Sequence, residues 1–315
     1  MTVVCLGELL IDFVAQETGK LVGDVAGFQK AAGGAPANVA VAIRRLGHPS
    51  AFLGQVGDDP FGHYLADVLR ADGVNIDGLR FSAVARTALA FVSLADNGER
   101  SFVFYRHPSA DMLYQPQDIE PIVLASAKIF HFGSITLITE PSRSATLQAA
   151  TIARQNGAMI SYDPNLRLAL WDSPESAKAG MLLGMGYADI VKISEEELLF
   201  LVGKDDVAPL LNHYPTLKLI LVTRGEKGSS AYTREGLIAD HKGYAVGAVD
   251  TTGAGDSFMA GILVGILEHE TDYLVHFADI LAFSNAVGAI TTTGRGAIPS
   301  LPTRDQVRAF IAKMG

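Results

Sequence analysis

The sequence predicts an α/β fold of the doubly wound kind, a largely parallel sheet covered by helices on both faces. Two observations predict it. Short apolar, β-rich runs alternate along the chain with stretches of helical periodicity, and 49% apolar content over 315 residues is ample for a sizeable core. That length suits one large α/β domain or two ordinary ones.

In chain order, the candidate core strands are Val3–Gly7, Ser50–Gly54, Ile129–Gly133, Met159–Asp163, Ile190–Ile193 and Leu219–Thr223. Helical stretches lie between them: Asn38–Leu46, Pro60–Asp72 with Asp58 or Asp59 as its cap, Ser142–Asn156 and Glu195–Val202. Two segments break the alternation. Phe13–Lys30, and Arg86–Arg106 with a hairpin turn at Asp96-Asn97-Gly98, read as a small antiparallel sheet inserted into the main domain. The division that follows is residues 1–12, 31–85 and 107–315 for the core and 13–30 and 86–106 for the insertion. In the second hairpin strand, period-2 geometry puts Phe102, Phe104 and Arg106 on one face and Val103 and Tyr105 on the other. Apolar residues on both faces suggest that both are covered, either as an ordinary core hairpin or in a homodimer whose inserted sheets cover each other.

Charge and cysteine content exclude several classes. Lys and Arg number 25 against 34 Asp and Glu, a net −9, so no basic surface is set up to hold nucleic acid phosphates. Any bound phosphate must be gripped locally. The single cysteine, Cys5, sits in an apolar run as a buried thiol and permits no disulfide framework. Glu8 and Asp12 interrupt the first apolar stretch, which has no basic flank, and no apolar run approaches the ~20 residues of a membrane span. A cytoplasmic protein without a membrane partner is expected.

The local phosphate grip has one strong candidate. Asp250-Thr251-Thr252-Gly253-Ala254-Gly255-Asp256 runs from a turn into an apolar-periodic helix carrying Phe258, Ile262, Leu263, Ile266 and Leu267. Gly253, Ala254 and Gly255 therefore open a helix whose first N–H groups lack intrahelical partners and can close on an anion. Asp256, just inside, is placed to accept the proton of an attacking hydroxyl. A glycine turn before a helix is also what a plain helix start looks like; the flanking pair Asp250 and Asp256 makes this one more specific. No P-loop or dinucleotide glycine pattern occurs, and His269-Glu270 followed by His276 fails the spacing of a zinc protease.

These residues resemble the C-terminal signature of the ribokinase-like (PfkB) family of sugar kinases without a gap. Gly33-Gly34-Ala35-Pro36-Ala37-Asn38-Val39-Ala40, followed by Gly47 and Gly57, is similar to the family's N-terminal signature. The resemblance spans most of the chain and implies a Rossmann-like three-layer domain with a small β lid, which the two off-pattern segments fit. It implies ATP and Mg²⁺ as cofactors and a sugar as acceptor. Gly33 and Gly34 would let the backbone approach a polyol, with Asn38 and Asp12 meeting its hydroxyls; a turn and a helix cap are the plainer readings of the same residues.

On the nucleotide side, the loop from Thr223 through Gly225 to Gly228 is similar to the family's ATP loop, and Lys192, Gly255 and Asn285 join it by resemblance. The family often has Asn-x-x-Glu ordering Mg²⁺ and its waters. Here the segment reads Ser194-Glu195-Glu196-Glu197, which keeps Glu197 but lacks the Asn. Many members hold a monovalent cation beside the anion hole; Asp250, Thr252, Thr291, Gly294, Gly296 and Ser300 would supply its oxygen ligands, and K⁺ would suit them.

Within the family, Asn97 to Phe102, the Phe104-Tyr105-Arg106 run and Asp163 to Arg167 look most like bacterial fructokinases, implying D-fructose phosphorylated at its 6-hydroxyl. Kinases of 2-keto-3-deoxygluconate and of aminoimidazole riboside or other nucleosides share parts of these runs, and a catalytically silent sugar sensor is the non-enzyme alternative. Arg106 and Arg167 discriminate, since a guanidinium can bind several hydroxyls or one carboxylate. Phe104 would cover the sugar's apolar face or serve as lid core.

Overall fold

The computed structural model describes residues 2–94 and 100–314. The expected turn at Asp96-Asn97-Gly98 and the start of the Asn97 to Phe102 run lie outside the described residues. The chain opens with β1 (Thr2–Leu6), β2 (Leu10–Thr18) and β3 (Phe28–Gly33), then α1 (Ala35–Arg45), β4 (Ser50–Gly57), α2 (Pro60–Ala71), β5 (Asn75–Ser82), β6 (Leu89–Leu94) and β7 (Arg100–Tyr105). There follow α3 (Pro121–Ala125), β8 (Ala127–Gly133), α4 (Ser142–Gln155), β9 (Met159–Asp163), α5 (Pro174–Met185), β10 (Ile190–Ser194), α6 (Glu195–Val202), α7 (Ala208–His213) and β11 (Leu219–Thr223). The last elements are β12 (Ser229–Thr233), β13 (Gly236–His241), α8 (Ala254–His269), α9 (Phe277–Thr291), α10 (Ala297–Ser300) and α11 (Arg304–Met314).

All six expected core strands lie in one nine-stranded sheet, ordered β13-β12-β11-β10-β9-β8-β1-β4-β5. Every pair from β11 to β5 is parallel, while β12 and β13 continue from β11 as an antiparallel edge. Alternation along β1 shows why both faces need helices: Val3 and Cys5 pack with α1, α8 and α9, whereas Val4 and Leu6 pack with α4 to α6. The strand order reverses between β1 and β8, and in such sheets the crevice outside the carboxyl ends at this reversal is where ligands bind.

Two helix starts explain themselves chemically. Asp59, not Asp58, caps α2, accepting from the N–H groups of Phe61 (3.0 Å) and Gly62 (2.9 Å) ahead of Pro60 in the first turn. Helix α1 begins at Ala35, three residues before the expected start, because Pro36 needs no N–H partner in a first turn. Asn38 is therefore inside the helix and is not its cap.

The two off-pattern segments form a second sheet, ordered β3-β2-β6-β7. It is not wholly antiparallel. Each hairpin is, but β2 and β6 pair in parallel, because both strands leave the core in the same direction, at Leu10 and Leu89. Phe104 packs against Leu10, Ala88 and Ala90 on one face. On the other face Val103 and Tyr105 stay 40% and 63% exposed, so within one chain that face is not covered. Among the described residues no helix is long and apolar enough to cross a membrane.

Candidate active site

Helix α8 enters from Gly253, whose left-handed φ of +78° and close approach to Ala297 both exclude a side chain. Ala254 donates to Thr251 O in a long 3.3 Å turn bond, and Ser257 N–H is the first to reach back to the Gly253 carbonyl, at 2.8 Å. Asp256 stands in the first turn, buried. Its Oδ2 accepts the Asn38 amide at 2.8 Å. Burial first, and then the neighbouring Asp163 carboxylate, push its pKa up to about 6, against the opposing pull of Asn38, Lys192 and Arg167. Such a carboxylate is ionised at neutral pH yet more basic than an exposed one, the poise a general base needs.

Lys192, near the carboxyl end of β10, donates to Asp163 Oδ2 at 2.8 Å. A methyl group added at Gly255 would come within 2.9 Å of its Nζ, so the ammonium lies against the backbone of the helix start. Burial disfavours that charge, but Asp163 and Glu197 more than offset it and raise the pKa.

On the acceptor side, a side chain at Gly33 would collide with the Asp12 carboxylate, and one at Gly34 (φ +112°) with the Glu8 carbonyl. Both glycines thus serve close approach as well as the turn. Arg167 follows β9 through Asn165, which adopts the left-handed backbone that Asn tolerates (φ +48°). Its Nη1 donates to Leu166 O at 3.0 Å, and its charge bears on Asp256. Arg106 is different. It is 4% exposed and ion-paired to the equally buried Asp111 at 2.6 Å, so a carboxylate inside the fold already meets its charge.

Of the residues expected on the nucleotide side, all but Lys192 and Glu197 line a cavity of about 800 Å³. Thr223, Gly225, Gly228, Gly255 and Asn285 line it, with Tyr244, Ala245, Val246, Phe258, Gly288 and Ala289 among its walls. Gly228 (φ +88°) leaves no room for a side chain against His241 O. Both N–H groups of Asn285 are engaged, by Ser229 Oγ at 2.7 Å and Leu281 O at 2.8 Å, which leaves its carbonyl oxygen for a ligand. Glu197 does not line the cavity. Its two carboxylate oxygens accept from Leu166 N (2.6 Å) and Ser194 N (2.8 Å), tying the loop after β9 to α6, and Ser194 caps that helix by accepting from Glu197 N.

Of the six residues expected around a monovalent cation, Asp250, Thr252 and Gly296 form one knot. Asp250 Oδ1 accepts from Thr252 N and Oγ1 at 2.9 and 2.7 Å, and Oδ2 from Gly296 N at 2.9 Å. Ser300 abuts Gly294. The Thr291 hydroxyl donates into its own helix, to Val287 O at 2.9 Å.

The model of the pfkB family carbohydrate kinases matches residues 1–304. The chain belongs to the pfkB family of carbohydrate kinases. It is 50% identical to the probable fructokinase-4 of Arabidopsis thaliana, over 98% of this chain and 96% of that one. Its fold is similar to the crystal structure of a Xylella fastidiosa fructokinase with bound ATP (TM-score 0.90, 34% identity, 99% and 98% covered). It is also similar to a double mutant of a Vibrio cholerae O395 fructokinase in a fructose-, ADP- and potassium-bound form (TM-score 0.87, 37% identity, 98% and 97% covered).

In this pfkB-family chain, sequence reasoning gave no role to Asp163, Glu8 or Asp111. A signal existed for the first: Asp163 ends a predicted parallel strand, where site residues of open α/β sheets collect. Glu8 follows β1, and its Oε1 accepts Ala35 N–H at 2.8 Å. Asp111 and the cavity walls at 244–248 had no motif to announce them.

Proposed function

We propose that this chain is an ATP-dependent fructokinase, transferring the γ-phosphoryl group to the 6-hydroxyl of D-fructose. The observation that carries the reading is the buried Asp256 at the start of α8, hydrogen-bonded to Asn38 in the segment that also holds Gly33 and Gly34. Relatives and neighbours of that name support the choice of sugar.

The acceptor is read as lying between Asp12, Gly33, Gly34, Asn38, Phe104 and Arg167, with the small sheet as a lid that excludes water. Asp256 takes the hydroxyl proton as that oxygen attacks the γ-phosphorus; the bond to the β-phosphate oxygen breaks, and ADP leaves. The N–H groups around Gly255 and the Lys192 ammonium meet the charge of the phosphoryl group in transit. ATP fits the 800 Å³ cavity, which Gly255 joins to the base.

Among the described residues no three His, Cys, Asp or Glu side chains are grouped to hold a metal directly. Mg²⁺ would come with the nucleotide phosphates, and Glu197, whose carboxylate keeps lone pairs beyond its two backbone bonds, would hold its waters. When bound, it neutralises phosphate charge. K⁺ is proposed beside the Asp250 knot, with activity in K⁺ compared against Na⁺ as its check.

Asp111 already meets the charge of Arg106, which favours a neutral sugar over 2-keto-3-deoxygluconate. The outer face of the small sheet, with Phe91 stacked on Phe13 at 4.9 Å and Tyr105 exposed beside it, supports a homodimer through the lid. The buried free thiol Cys5 suits a reducing compartment, the cytoplasm. A coupled assay over fructose, mannose, ribose, aminoimidazole riboside and 2-keto-3-deoxygluconate tests the reading. Fructose should give the highest kcat/KM; a sugar acid or nucleoside in first place would replace it, and no turnover would point to a sensor.

A further inference from the structure

We infer that Asp163 is a positioning residue for phosphoryl transfer: it holds the Lys192 ammonium against the Gly255 backbone and away from the base Asp256. The inference rests on the reading of Gly253 to Asp256 as the phosphate site.

Asp163 and Lys192 sit at or near the carboxyl ends of neighbouring parallel strands β9 and β10. Both are buried, and they form a 2.8 Å ion pair between the two strands. Gly255 is what admits the ammonium, since a side chain there would come within 2.9 Å of Nζ. An ammonium has three N–H donors; one goes to Asp163, and the others remain for phosphate oxygens.

Lys192 also lies in the field of Glu197 and Asp256. Without a tether it could swing onto Asp256, and a base locked in an ion pair takes up protons poorly. The fixed bond to Asp163 separates the two functions. His131, on β8, cannot do this. Burial pushes it down to about 4, so it is neutral, and its Nδ1 is bonded to Ser161 Oγ at 2.9 Å. Asp163 Oδ1 has no hydrogen-bond partner among the described residues although it is buried, so the carboxylate keeps acceptor capacity.

Asp163→Asn keeps the shape and removes the charge. Its ATP KM should rise about tenfold, the worth of one charge-assisted hydrogen bond, while the fructose KM stays within about twofold. The acid limb of the kcat/KM profile should also move to lower pH. The groups bearing on Asp256 are Asp163, Asn38, Lys192 and Arg167; loss of the one negative neighbour, and approach of Lys192, both lower its pKa. A purely structural role would shift neither the limb nor one KM alone.

Because Asn would leave a buried ammonium unpaired, Lys192→Met and the double variant Asp163→Asn/Lys192→Met accompany it. The double variant should show the ATP KM of Lys192→Met alone. A double variant several-fold worse than Lys192→Met, or an Asp163→Asn enzyme with unchanged ATP KM and acid limb, overturns the inference and leaves the kinase reading intact. If the wild-type chain fails to phosphorylate any sugar in the panel, it is the kinase reading that fails.

Discussion

Asn38 and Asp256, 218 positions apart in the chain, meet in a 2.8 Å hydrogen bond from Nδ2 to Oδ2. The bond joins the start of α1, beside Gly33 and Gly34, to the start of α8, beside Gly253 to Gly255. It also stabilises the charged form of Asp256 against the burial that opposes it.

Asn38→Ala should therefore raise the Asp256 pKa above about 6 and move the acid limb of kcat/KM to higher pH. At pH 6 the loss of kcat/KM for fructose should be on the order of tenfold, shrinking as pH rises. A pH profile of the purified variant checks this, and a limb that stays in place would detach Asn38 from the base.

Adjacent glycines should fail differently. Gly33→Ala pushes on the far end of a side chain, the Asp12 carboxylate, so the fructose KM should rise with less change in Tm. Gly34→Ala forces a φ of +112° on a residue with a Cβ and meets the Glu8 backbone, which cannot step aside. It should cost about 2 kcal/mol and several degrees of Tm. Melting curves set beside fructose kinetics separate the two.

The buried Arg106–Asp111 pair predicts a stability defect without an acceptor-charge effect. Arg106→Met strands a carboxylate that is 2% exposed and should cost about 3 to 5 kcal/mol. Adding Asp111→Leu should recover part of that loss. Denaturant titration of the single and double variants checks it; no recovery would show that the two charges do not depend on each other.

Much of this was legible beforehand for a physical reason. Buried parallel strands are apolar runs bounded by turns, so Met159–Asp163 and Leu219–Thr223 were found to the residue. Glycine turns at helix starts, as at Gly253, announce themselves through residue type. What the sequence did not disclose depends on long-range pairing. Nothing local to Arg106 shows that Asp111 will bury against it, and nothing in Asp163 names Lys192 as its partner. The parallel β2–β6 pairing was hidden for the same cause: hairpin signals report only neighbours in the chain.

Glu8 gives a pH-dependent stability. Burial pushes its carboxyl up to about 7, well above its unfolded value of 4.5. Between those values the folded protein holds a proton that the unfolded chain releases, so stability falls as pH rises from about 4.5 to 7 and levels off above. Glu8→Gln keeps an acceptor for Ala35 N–H and removes the titration. Its Tm should exceed wild type more at pH 8 than at pH 5, by an amount reflecting at most about 3 kcal/mol. A constant offset at both pH values would contradict this.

The central claim is that Asp256 accepts the acceptor's proton, and the direct measurement is kcat of Asp256→Asn with Mg²⁺-ATP and fructose. Asn can still bond Asn38 and should leave Tm within a few degrees of wild type. The account predicts a fall in kcat on the order of 10² to 10⁴ with a folded protein. A folded Asp256→Asn enzyme with near-normal kcat would contradict it.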